Sequence, residues 1–152
     1  LLGYGRIGKN LERYFSAMGC SVVWHDRKYT GFSKKDILSI SDIVVLAITS
    51  VTDNSNYLSR KEFDLMARKP FLINISRGFL INEIDLLFAL HKNQISGFAT
   101  DVVDGYIHLE EFKELDNVII TPHVAGSSIE SKKSACLYVI KQLEERLSSE
   151  AY

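Results

Sequence analysis

Gly3-Tyr4-Gly5-Arg6-Ile7-Gly8 stands at the head of the chain and spells G-x-G-x-x-G. In a strand–turn–helix setting the first glycine permits a tight turn. The second lets the backbone approach a pyrophosphate, and the third lets the helix pack closely on its strand. The helix that follows would aim its N-terminal amides and the positive end of its dipole at the phosphates. Ile7, Leu11, Tyr14, Phe15 and Met18 share one face of that helix, and Gly19 supplies its stop. The next apolar stretch, Ser21-Val22-Val23-Trp24, leads to Asp26, 18 residues beyond Gly8. That is where an acid meets the adenosine ribose hydroxyls of a dinucleotide. A glycine-rich turn alone is a weak signal, but the ordered helix, strand and acid make it specific. The candidate cofactor-binding residues here are Gly3, Gly5, Arg6, Ile7, Gly8 and Asp26. The carboxylate favours NAD, since it repels the 2′-phosphate of NADP. Arg27 works the other way, which leaves NADP as the less favoured cofactor.

The rest of the chain continues the pattern. Asp42–Ile48, Phe71–Ile75, Gly97–Val103 and Val118–Thr121 are short, β-branched-rich runs with little polar alternation, as expected of strands buried on both faces. Helical stretches alternate with them. Ser59 and Glu62 form a capping box, Asn82 precedes Ile84, Leu87 and Leu90, and Ser127 with Glu130 opens a long final helix. This alternation predicts an α/β fold: a Rossmann-type doubly wound parallel sheet with helices on both faces. Only Leu1 and Leu2 precede Gly3, whereas a strand of this kind has about 5 residues. The first strand is therefore expected to be truncated, and residues 1–152 to be one nucleotide-binding domain cut from a longer chain, without its substrate domain.

Composition bounds the function. The 152 residues carry a net charge of −1, and 46% are hydrophobic. A near-balanced charge gives no strong attraction to nucleic acid or anionic lipid. No apolar run approaches the roughly 18 residues of a membrane helix. Cys20 and Cys136 have neither metal-type spacing nor a disulfide framework. A soluble, cytoplasmic protein with no metal site, no nucleic-acid partner and no membrane contact is the expectation.

The whole ordered set resembles the nucleotide-binding domain of the D-isomer-specific 2-hydroxyacid dehydrogenases. The resemblance runs through Gly3–Gly8, Asp26, Ser50-Val51-Thr52-Asp53, Asn74-Ile75-Ser76-Arg77-Gly78, Gly97-Phe98-Ala99-Thr100-Asp101-Val102 and Asn117-Val118-Ile119-Ile120-Thr121-Pro122-His123-Val124-Ala125-Gly126. It implies an NAD-dependent oxidoreductase that interconverts a small D-2-hydroxy acid and its 2-keto acid. By that resemblance Arg77 holds the substrate carboxylate, a task suited to a bidentate guanidinium. His123 becomes the acid/base, since imidazole titrates near neutrality. Asp101 lies near the nicotinamide, and Ala125, Thr49 and Thr52 join the cofactor-binding set. A homodimer is the implied assembly. His25, His91 and His108 lie in no motif and read as structural or surface residues.

One position departs from the pattern. The family's glutamate, which pairs with the histidine, is replaced by Tyr106, and its usual proline by Ile107. A carboxylate beside imidazole stabilises the protonated ring and orients it. Three readings stand: Tyr106 bonds the ring; Asp104, Glu110 or Glu111 supplies the carboxylate; or the protein is an NAD-binding regulatory or scaffold module with little catalysis.

Overall fold

A computed structural model describes residues 1–28, 31–49, 54–103 and 106–149. Two compact units follow each other along the chain, Leu1–Thr121 and the segment from Pro122 onward. In the first, α1 (Arg6–Ala17) and α2 (Lys34–Ile40) precede β1 (Ile43–Leu46) and α3 (Arg60–Phe63). There follow β2 (Phe71–Asn74), α4 (Glu83–His91), β3 (Gly97–Thr100), α5 (Leu109–Lys113) and β4 (Val118–Ile120). The second unit holds α6 (Ile129–Ser149). Among the described residues no helix is long and apolar enough to cross a membrane.

The four strands form one parallel sheet in the order β1-β2-β3-β4. On the open side of β1 the chain start pairs in two directions, for Leu2 bridges Leu46 on one flank and His25 on the other, both in parallel. The amide of Leu2 donates to Val45 O and that of Ala47 to Leu2 O, at 2.9 and 2.8 Å. On the other flank His25 N reaches Leu1 O, and Gly3 N reaches His25 O. The chain therefore leaves Leu2 for one neighbour and returns to the opposite one, so the order reverses at Leu2 and a crevice opens beyond the strand ends there. Ser21–Trp24, expected as a strand, forms no ladder; on that flank Leu2 bridges His25, and the Leu1 amine donates to Val23 O at 2.6 Å.

Leu2, Leu46, Leu72 and Phe98 are completely buried, as are Leu58, Leu86 and Phe112 around them. Strand positions read as two-sided thus carry the core, as parallel sheets require. The helix signals also hold. Asn82 Oδ1 accepts the Asp85 amide at the start of α4, and Gly19, at φ 85°, ends α1. Ser33 and Asp36 cap α2 reciprocally. The final helix starts one residue later than expected, since Ser128, not Ser127, accepts the Ser131 amide. The apolar face of α1 stays largely open, with Ile7, Tyr14 and Met18 exposed. The helix is held instead through buried Gly8.

The capping box at α3 doubles as a buried ion pair. Glu62, 3% exposed, accepts the Ser59 amide and hydroxyl and the Lys34 ammonium, the last at 2.8 Å. Burial pushes the Glu62 carboxyl up, but Lys34 and Ser59 outweigh it and hold it below its usual range. A depressed carboxyl contributes stability above its unfolded pKa and loses it as pH falls through the folded value. Glu62→Gln is expected to cost about 2 kcal/mol at pH 7. The gap to wild type should shrink as pH drops below about 5, measured by denaturant unfolding at a series of pH values. A gap independent of pH would contradict the ion pair.

Candidate cofactor and substrate site

The glycine turn is built by contact. Gly3 has φ 103°, and a Cβ there would lie 2.5 Å from Ala47 O. A Cβ on Gly8 would lie 2.3 Å from Gly3 O, so only glycine lets α1 press onto the turn. Gly5 is different, because a Cβ there would meet nothing within 4 Å. The room lies where the helix begins. Gly5 is its N-cap, no side chain caps it, and its first turn has no acid. Arg6 and Ile7 are exposed in that turn. Uncapped amides facing open space suit an anion.

Asp26 closes the next contact. Its Oδ2 accepts the Tyr4 amide and its Oδ1 the Lys28 amide, each at 2.9 Å. Those amides hold its carboxyl below the usual range. The Tyr4 ring stacks on Trp24, centroids 4.1 Å apart and planes 7° from parallel, and its hydroxyl bonds Glu12. Glycine turn and acid are thereby joined by backbone and by ring. A cavity of about 380 Å³ adjoins them, lined by Gly5, Asp26, Thr49 and also His25, Arg27 and Tyr57. His25, read from sequence as structural, is thus a wall residue; its Nδ1 lies 2.9 Å from Phe32 O. Tyr57 carried no sequence signal, because the cavity wall is assembled from separate segments. Thr52 lies outside the described residues.

Arg77 follows β2 in a pinned loop. The buried Asn74 side chain donates to Arg77 O and accepts the Ser76 amide, and Ser76 Oγ donates to Leu46 O. Arg77 itself is exposed; Nη1 touches Ser76 O, and it forms no ion pair among the described residues. An exposed guanidinium on a fixed loop with no anion is poised for one. Asp101 stands one strand over, at the end of β3, where its Oδ1 accepts the Thr121 hydroxyl at 2.6 Å.

The expected glutamate position is occupied differently. Tyr106 packs against Phe112, centroids 5.5 Å apart, and its hydroxyl is buried without a hydrogen-bond partner among the described residues. Burial pushes this phenol far above its usual range. Glu110 is paired with Lys113 and Glu111 with His108, each at 2.6 Å; Asp104 lies outside the described residues. Glu83, which no motif singled out, holds this loop by accepting the amides of Ile107 and His108.

In the second unit, His123 has φ 55°, in the left-handed region. For a residue with a Cβ this costs about 1–2 kcal/mol, and such outliers cluster at functional sites. Ser127 Oγ donates to His123 O, and Ala125 is exposed in the same turn.

Comparison with known proteins defines the class. Residues 1–125 match the NAD binding domain of the D-isomer specific 2-hydroxyacid dehydrogenases, and the chain belongs to that family. It is 32% identical over 152 residues to glycerate dehydrogenase of Methylorubrum extorquens, covering 95% of this chain and 48% of that protein. A Lactobacillus delbrueckii D-isomer specific 2-hydroxyacid dehydrogenase solved with NAD superposes at TM-score 0.82 and 26% identity, over 95% and 52% of the two chains. An acyclic imino acid reductase in complex with NADPH and D-Arg gives 0.86 and 27%, over 97% and 50%. The chain spans about half the length of the curated relatives it matches. NAD is its cofactor, and the uncapped α1 start, the open space at Gly5 and the Asp26 wall fit a dinucleotide.

The two inner glycines should separate folding from binding. Gly8→Ala is expected to destabilise the domain by about 1–3 kcal/mol, through its clash with Gly3 O. Gly5→Ala should leave stability within about 0.5 kcal/mol yet weaken NADH binding. Thermal unfolding and NADH titration of both variants check this.

Proposed function

We propose that the protein containing this domain is an NAD-dependent oxidoreductase that interconverts a small D-2-hydroxy acid and its 2-keto acid. The observation that carries the reading is Arg77, an exposed cation without an anion on a loop fixed by Asn74. Arg77 binds the substrate carboxylate through parallel N–H donors. His123 gives a proton to the carbonyl oxygen during reduction and takes it from the hydroxyl during oxidation. Asp101, anchored by Thr121, orients the cofactor's nicotinamide end. When bound, the nicotinamide supplies or accepts the hydride. Residues 1–152 act as the nucleotide domain, Thr49, Thr52 and Ala125 add cofactor contacts, and the working assembly is a homodimer in the cytoplasm. The free, exposed Cys20 and Cys136 accord with a reducing compartment.

A second reading has its own observation. Tyr106 is turned into the core, Glu110 pairs with Lys113, and Glu111 is engaged by the His108 ring. A module that binds NAD with weak or no catalysis fits these facts.

The test is NADH oxidation by the protein carrying this domain, across a panel that includes glyoxylate, hydroxypyruvate and pyruvate. Turnover is expected, with His123→Asn lowering kcat by about 10²–10⁴-fold and Arg77→Ala raising KM, while both variants keep NADH binding. A flat panel with intact NADH binding would favour the second reading.

A further inference from the structure

Tyr106 carries a polar atom that packing alone does not explain. Its ring lies against the fully buried Phe112, and its hydroxyl is buried with no partner at hydrogen-bond distance among the described residues. A buried orphan of this kind is rare. The backbone brings it to the Arg77 loop. Thr100 of β3 is in register with Asn74 of β2, and the Thr100 hydroxyl donates to Asn74 O. Beyond β3 the Tyr106 amide donates to Val103 O, and the next two amides donate to the Glu83 carboxylate. Burial pushes the Tyr106 phenol up, Asn74 pulls it down, and the Glu83 charge pushes it up. The hydroxyl is thus within reach of two anchors, Asn74 before Arg77 in the chain and Glu83 after it. Asn74 has capacity left. Its carboxamide donates to Arg77 O at 2.9 Å and accepts the Ser76 amide at 3.0 Å. A carboxamide has two N–H hydrogens, so one remains for a hydroxyl oxygen.

We infer that Tyr106 is a positioning residue for Arg77: its hydroxyl takes the second amide hydrogen of Asn74 and so fixes the loop from which the guanidinium reaches a substrate carboxylate. The inference rests on the carboxylate reading of Arg77 and deepens it. The pair is longer than a hydrogen bond in this structure, and the pull of a carboxylate on Arg77 closes it. Two parallel N–H donors grip a carboxylate only when the guanidinium is aimed, and a misplacement of about 1 Å costs such a site up to about 10²-fold. On this reading Tyr106 touches neither substrate nor cofactor and acts through Asn74 alone.

The experiment uses the protein that carries this domain, saturated with NADH, and compares wild type with Tyr106→Phe and Arg77→Ala. Tyr106→Phe keeps the ring on Phe112, and thermal unfolding checks that the fold is kept. Oxalate, a small dicarboxylate, is titrated into the NADH complex by cofactor fluorescence, beside keto-acid kinetics at a series of pH values. Tyr106→Phe is expected to weaken oxalate and raise KM about tenfold, the loss of one hydrogen bond, with kcat, its pH profile and NADH affinity held within about twofold. Oxalate binding that needs Arg77 but ignores Tyr106→Phe would overturn the inference and leave the carboxylate reading standing. A shifted pH profile of kcat with KM unchanged would overturn it as well, since the hydroxyl would then act on the acid/base. Oxalate binding indifferent to Arg77→Ala, or no oxalate binding, would overturn both.

Discussion

The double pairing of Leu2 organises this domain. Flanked by His25 on one side and Leu46 on the other, this one residue fixes where the strand order reverses. Everything the site needs is counted from that point. The glycine turn leaves Leu2 directly, Asp26 follows the neighbour on one flank, and Thr49 follows the neighbour on the other. Hydrogen bonds alone would not hold the arrangement. The missing side chains at Gly3 and Gly8 let Ala47 O and Gly3 O come within distances that a Cβ would forbid. Backbone closeness, set by two hydrogen atoms in place of methyl groups, brings the start of α1 to the crevice.

A similar economy governs the loop after β2. Asn74 is the last residue of β2 and is completely buried, yet its amide serves both the Arg77 carbonyl and the Ser76 amide. The loop is thereby finished inside the protein, and the one long side chain left over points to use elsewhere. Glu83 does comparable work for the 106–108 loop with two backbone amides. Structure-holding polar groups are buried or saturated, whereas Arg77 is neither.

Much of this was legible from residues close together in sequence. G-x-G-x-x-G, the spacing to Asp26 and the four later apolar runs gave the parallel sheet, because their meaning depends on neighbours a few positions away. Asn82 and the Ser59–Glu62 box were readable for the same reason. What escaped depended on distant partners or on weaker variants of a signal. The Ser33 box uses Asp36 in place of the usual glutamate. Of two adjacent serines the expected cap was Ser127, whereas Ser128 accepts the Ser131 amide. Tyr57 and His25 reach one cavity from segments some thirty residues apart, and no local pattern records that. Tyr106 was readable as a substitution but not as an inward-facing ring, since its direction is set by Phe112.

The stacked pair Tyr4 and Trp24 carries a consequence for the entropy of recognition. Tyr4 belongs to the glycine turn and Trp24 lies two residues before Asp26, and their rings meet nearly parallel. With Tyr4 N also bonded to Asp26, the glycine turn and the acid become one rigid gauge whose span is set during folding. A ligand that spans the two then meets a ready-made distance and orders little protein on arrival.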